Sequence, residues 1–146
     1  MRFETRAIHA GQEPDPATGA VNVPIYASST FAQASADAEG EYMYGRVANP
    51  TRTALETALA SLEGIDPGSD GGAVVTASGM GATALVSDLL RPGDHLLMSD
   101  DVYGGTYRLA SEVLTSRGIE WSGADLTDLD SARAAIRPNT RIVWAE

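Results

Sequence analysis

The sequence predicts an α/β fold in which a mostly parallel sheet carries helices on its faces and follows an extended N-terminal arm. Three features carry that prediction. Strand-like and helix-like stretches alternate from Ala73 to Trp144, the helix-like stretches close on glycine or proline, and residues 1–48 show no such rhythm. Strands separated by helical crossovers are forced to run parallel, with helices covering the sheet. The domain reading is therefore an arm and interface segment over 1–48, then the first part of an α/β domain over 49–146.

The elements follow from local chemistry. Turn formers such as Glu13-Pro14-Asp15-Pro16 and a polar, Ser-rich stretch from Ala27 to Ala38 give the arm no core of its own. It is expected to be disordered or draped over another surface, which suggests an oligomer. Asn49-Pro50 reads as a helix N-cap followed by proline at the first helical position. Leu55, Ala58, Leu59 and Leu62 recur at helical spacing, and Gly64 stops the helix. After a loop over 66–72, Ala73-Val74-Val75-Thr76 reads as a strand and Gly79 to Leu90 as a helix ended by Arg91-Pro92-Gly93. A strand His95–Met98, a helix from about Gly105 to Arg117 stopped by Gly118, and a strand Ile119–Ser122 come next. Thr127 is the expected N-cap of a last helix, with Asp130 as its capping-box partner. That helix should end at Arg137-Pro138, before a final strand over Arg141–Trp144. Because this strand runs out at Glu146, where a site residue is expected, the chain reads as the N-terminal part of a longer domain.

Composition narrows the function. The 146 residues carry 10 basic and 20 acidic side chains, for a net charge of −10, and contain no cysteine. All ten basic residues are arginine; lysine is absent. No disulfide framework or thiolate metal site can form. The negative charge argues against nucleic acid or an anionic membrane as partner. No apolar run approaches the roughly 20 residues that span a bilayer, and the N-terminus lacks the apolar core of a secretory signal. The expected setting is the cytoplasm. The acidity fits an ordinary solvated surface or adaptation to high salt. His9 and His95 stand far apart with no cysteine partner, so no metal site is expected. Ser28, Ser29 and Ser78 lack a histidine base at any recognisable spacing, so a hydrolase triad is unsupported.

Several motifs carry chemistry. Ala77-Ser78-Gly79-Met80-Gly81-Ala82 joins a strand to a helix, where small residues and unpaired N–H groups suit a phosphate. The same stretch fits the dinucleotide pattern G-x-G-x-x-A, with Asp100 placed as a ribose-binding acid, so a nicotinamide-binding Rossmann domain remains open on this segment alone. Tyr44-Gly45-Arg46-Val47-Ala48-Asn49-Pro50-Thr51 sets a phenol and a guanidinium before a capped helix, and an arginine fork suits phosphate. Asp101-Val102-Tyr103-Gly104-Gly105-Thr106 places an aromatic ring at a strand end, freed by glycines to lie over a ligand.

Together with Pro24-Ile25-Tyr26-Ala27-Ser28-Ser29-Thr30-Phe31, these motifs resemble, in order and over the whole chain, the Cys/Met-metabolism family of pyridoxal-phosphate enzymes. The family includes cystathionine γ-synthase and γ-lyase, methionine γ-lyase and the O-acylhomoserine sulfhydrylases. The resemblance implies a fold-type-I enzyme with pyridoxal 5'-phosphate as cofactor, a small amino-acid substrate, and a homotetramer whose sites straddle subunits. It implies that Ser78, Gly79 and Met80 form the cofactor-phosphate turn, with the Gly79 and Met80 N–H groups as donors. Tyr44 and Arg46 would reach the same phosphate in a neighbouring subunit, and Tyr103 would stack on the pyridine ring and assist proton transfer. Glu146 matches the start of the family's Glu-[Ser/Thr]-Pro-x-Asn-Pro element. Gly45, Gly81 and the long loop Gly64–Gly72 depart from the family pattern. So does the absence of the lysine that holds the cofactor as a Schiff base, which makes the chain by itself an expected non-catalyst. A degenerate, non-catalytic fragment is the other outcome compatible with the resemblance.

Overall fold

A computed structural model describes residues 2–38, 40–65 and 69–146, which divide into two compact units, Met1–Val75 and Thr76–Glu146. The first three positions of the loop expected over 66–72, residues 66–68, lie outside the described residues.

The second unit contains the sheet. Strands β1 (His95–Ser99), β2 (Glu120–Ala124) and β3 (Thr140–Trp144) pair in the order β2-β1-β3, and both pairings are parallel. β1 is central and all five of its residues are buried, whereas the burial of β2 and β3 is only partial. A central strand enclosed on both faces should be continuously apolar, and His95-Leu96-Leu97-Met98 nearly is. The exception is His95, which is wholly buried but not unsatisfied. Its Nδ1 lies 2.8 Å from Thr140 Oγ1 and its Nε2 lies 3.0 Å from Ser122 Oγ, so one imidazole joins all three strands. Burial pushes its pKa down, the nearby Arg137 charge adds to that, and Glu120 opposes both. The neutral ring is thereby favoured.

The crossovers pack on this strand. A helical segment begins as α-helix at Gly104–Arg108, widens to a π-helix over Leu109–Leu114 and tightens to a 3₁₀ turn at Thr115–Arg117. At the wide turn Thr115 donates both its N–H and its hydroxyl to the Ala110 carbonyl, five residues back. Gly118, at φ +78°, stops the segment as expected. Leu90, Leu96, Met98, Ala110, Leu114 and Ile119 form the buried cluster. The helix from Gly79 ends at Ser87 rather than Leu90, because the chain turns there and delivers Leu90 into the core. The last helix, Leu129–Ala135, is capped by Asp128 and not by the expected Thr127. Thr127 is already committed one step earlier, its N–H and hydroxyl both donating to the Asp125 carboxylate, which holds that acid below the usual carboxylate range.

The expected strand Ala73–Thr76 does not form. A strand exists only through a paired neighbour, and here the Val75 N–H donates to the Glu56 carboxylate, 3.0 Å away, in place of a ladder.

Among its described residues the first unit has two helices, Phe3–His9 and Pro50–Leu62. The shorter one was not expected, since its seven residues carry no stripe that a period can reveal. Arg6 ties it to the longer helix by donating to the Ser61 carbonyl at 2.7 Å. Gly11, at φ +71°, then lets the backbone lie directly on that helix, where any side chain would run into the Ala54 carbonyl. Asn49 caps Pro50–Leu62 as expected and also donates to the Tyr26 carbonyl, while Thr51 Oγ1 accepts from Tyr26 N and donates to the Pro24 carbonyl. The arm is therefore ordered, and it is draped over a helix of its own chain. The apolar stripe of that helix remains half-open, with Leu55 and Leu59 48% and 41% exposed.

Candidate functional site

In open parallel sheets, ligands bind outside the carboxyl ends of the strands, and the second unit has a cleft of about 340 Å³ there. Its lining includes Gly79, Met80, Tyr103, Thr106, Trp144 and Glu146, contributed by two helix starts and the end of β3. Local sequence places each group. Ser78 caps the nine-residue helix Gly79–Ser87, its Oγ accepting from Gly81 N at 3.1 Å, while Ala82 N donates to the Ser78 carbonyl. The N–H groups of Gly79 and Met80 then carry no hydrogen bond among the described residues, as the first donors of a helix must. Donors so placed, with the positive end of the helix dipole behind them, are suited to an anion.

Tyr103 occupies the cap position of the next helix, immediately after β1 and its turn, with its side chain 60% exposed. Its ring folds back over the helix start. A Cβ placed on Gly105 would stand 2.5 Å from Tyr103 Cε1 and 2.8 Å from Met80 Sδ. Glycine at 105 is thus what allows the ring, the thioether and the backbone to meet. Gly104 is different: a Cβ there would meet nothing nearer than Arg108 Nη1 at 3.6 Å. Two free N–H groups, a cap that spares them and a flat ring beside them fit a phosphate-bearing aromatic cofactor.

Of the residues singled out from the sequence, the structure brings Ser78, Gly79, Met80 and Tyr103 into one neighbourhood. Tyr44 and Arg46 lie in the first unit, where the Arg46 guanidinium carbon sits 5.1 Å from the centre of the Tyr44 ring, a cation–π contact. The turn that carries them is closed by Val47 N and Ala48 N donating to the Tyr44 carbonyl. An antiparallel bridge between Thr30 and Tyr44, with Gly45 N donating to Ser29 O at 2.7 Å, anchors it. Arg52, which sequence reasoning passed over, donates to the Arg46 and Val47 carbonyls and pairs with Glu56 at 3.6 Å. Its signal was the spacing of Arg52 and Glu56 on one helix face. Thr106 and Trp144 were also missed, since neither position carries a pattern until the strands are paired.

Asp100 is exposed at the end of β1. The dinucleotide fingerprint needs a strand leading into its glycine turn, and residues 73–76 form none. Among the described residues no group of three or more histidine, cysteine or acidic side chains could hold a metal ion, and no helix is long and apolar enough to cross a membrane.

Comparison with known proteins identifies a family. The model of the Cys/Met metabolism PLP-dependent enzyme family matches residues 4–146. A probable cystathionine gamma-synthase of Herpetosiphon aurantiacus is 51% identical over 99% of this chain, which covers 44% of that relative. The cystathionine gamma-synthase of Mycobacterium tuberculosis is 52% identical over 97% of this chain, covering 36% of that protein. The crystal structure of cystathionine gamma-lyase from Lactobacillus plantarum complexed with L-serine superposes with a TM-score of 0.87 at 41% identity, over 99% of this chain and 36% of that one. The chain thus spans well under half the length of these relatives. The nicotinamide-binding alternative is set aside by the family match, which also implies pyridoxal 5'-phosphate as cofactor. The chain belongs to the Cys/Met-metabolism family of PLP-dependent enzymes and has their fold-type-I α/β architecture.

Proposed function

We propose that this chain provides the phosphate-holding part of the active site of a transsulfuration enzyme of cystathionine γ-synthase or γ-lyase type. The substrates would be homoserine- or cystathionine-like amino acids, and the bond exchanged or broken would lie at their γ-carbon. One observation carries the reading: the free N–H groups of Gly79 and Met80 and the ring of Tyr103 share one cleft. Pyridoxal phosphate, when bound, supplies an electron sink for the pair left by a departing α-proton.

The chain's own residues hold and orient. Gly79 and Met80 donate to the phosphate, Ser78 keeps the turn in shape, and Tyr103 covers the ring and is placed to exchange protons through its phenol. Tyr44 and Arg46 reach the same phosphate from a neighbouring copy, with Arg52 steadying the backbone that carries them. Residues 1–48 act as the arm of that interface, and 49–146 as the first part of the cofactor-binding domain. The support for an interface is that the first unit fully buries none of its described side chains. We propose a cytoplasmic homotetramer on the family pattern. With no lysine among its 146 residues, the chain alone has no side-chain amine to bind the cofactor covalently.

Titration with pyridoxal phosphate, followed by tryptophan fluorescence and then by borohydride reduction, tests this reading. The expected result is reversible binding, weakened by Tyr103→Ala, with no reduced adduct on any side chain. Binding indifferent to Tyr103→Ala would overturn the site. A reduced side-chain adduct would overturn the expected inactivity.

A further inference from the structure

We infer that Glu146 is a positioning residue for Tyr103. Its carboxylate ties the first turn of the helix Gly104–Arg108 to Trp144 at the end of β3, and its backbone N–H ties the same residue to Ser99 at the end of β1. Three hydrogen bonds converge there. Thr106 Oγ1 donates to Glu146 Oε2 at 3.1 Å, Trp144 Nε1 donates to the same oxygen at 2.8 Å, and Glu146 N donates to Ser99 Oγ at 3.3 Å. Thr106 and Ser99 are buried, so these are fixed points.

Thr106 follows Gly105, the residue whose missing side chain lets the Tyr103 ring rest beside Met80. That first turn has no other side-chain anchor among the described hydrogen bonds: the cap residue is Tyr103 itself, and it makes no side-chain cap bond. Tyr103 is 60% exposed, so packing does little to keep its pose. The pose is therefore set by the backbone beneath it, and Glu146 holds that backbone through Thr106. Because both side-chain donors meet a single oxygen, an amide carbonyl can replace the carboxylate. The clamp depends on an acceptor atom and does not depend on charge.

The use of this pose for stacking on the cofactor rests on the proposed function above, so the first readout needs no cofactor. In the full 146-residue chain, the nuclear Overhauser contact between the Met80 methyl group and the Tyr103 ring is expected in the unsubstituted protein and in E146Q. It should be lost in E146A and in T106V, and retained in T106S. The serine and valine pair decides the matter should E146A fail to fold. Pyridoxal-phosphate affinity should then fall up to about tenfold in E146A or T106V, as for loss of one hydrogen bond, and less than about twofold in E146Q. An unchanged Met80–Tyr103 contact in folded E146A or T106V would overturn the positioning role and leave the cofactor reading intact. A lost contact with unchanged affinity would uphold the positioning role and overturn the stacking role of Tyr103.

Discussion

The two units become ordered by different means. In Thr76–Glu146 the order comes from apolar burial: each of the described side chains that is fully withdrawn from solvent belongs to this unit, from Thr83 through Ile119. In Met1–Val75 no described residue is buried to that degree. Hydrogen bonds from Asn49, Thr51, Gln33 and Arg52 fix its loops, while Ile25 is 88% exposed. Gln33 is typical, donating to the Phe31 and Tyr42 carbonyls and accepting from Gly40 N, so that one amide ties three backbone groups. Net hydrogen bonds are worth roughly 0.5–1.5 kcal/mol each, whereas a buried leucine contributes about 1.5–3 kcal/mol. A unit held in the first way keeps apolar surface available for another partner. One held in the second way can carry a rigid site.

If burial carries the second unit, Leu97→Ala should be the most damaging single change. Leu97 is 0% exposed, and its loss should cost about 2–5 kcal/mol in denaturant unfolding. The matched change in the first unit, Leu59→Ala, should cost clearly less; equal costs would abolish the contrast. Next in size is Gly105→Ala, where the new methyl must displace the Tyr103 ring and Met80. About 1–3 kcal/mol is expected, against a small effect or a gain for Gly104→Ala, read by the same unfolding curves.

The helix caps allow a direct comparison. Ser78→Ala should cost about 0.5–2 kcal/mol. Asn49→Ala should cost more, because Asn49 both caps its helix and holds the Tyr26 carbonyl. Thermal unfolding of the two variants would check that order, and its reversal would show that the arm contributes little to the first unit.

The smallest effect is a pH dependence confined to the second unit. The folded pKa of His95 is held below its ordinary value of 6.5, so between the two pKa values the unfolded chain binds more protons. Stability from this group is therefore complete above about pH 6.5 and is lost as pH falls toward the folded pKa. His95→Gln should flatten that limb of a stability–pH profile, at some overall cost from the hydroxyls of Ser122 and Thr140. A profile unchanged by the substitution would exclude the imidazole as its source.

How far the sequence could be read varies along the chain. The Asn49 cap, the Ser78 turn, the Gly118 stop and the apolar strand at 95–98 were legible because each depends on neighbours within about four residues. The strand expected at 73–76 failed for the opposite reason. Val74 and Val75 have the right composition, but pairing is a property of a partner, and Glu56 takes the N–H instead. Thr127 gave way to Asp128 because two acids and a hydroxyl compete within four positions, and their order is settled only by the turn that forms. In the site, Ser78, Gly79, Met80 and Tyr103 were visible as motifs. Thr106 and Trp144 became meaningful only when β3 paired beside β1.

Local sequence alone determined the alternation of elements from residue 79 onward, the parallel sense of the strands and the Ser78-capped glycine turn, since caps, glycine stops and hydrophobic runs act over a few residues. Tertiary structure decided which strands pair, that His95 bridges three of them, and that Glu146 meets Thr106 forty positions away. Those outcomes depend on the packing of the whole unit around β1, where buried polar groups must find partners that no local spacing can name.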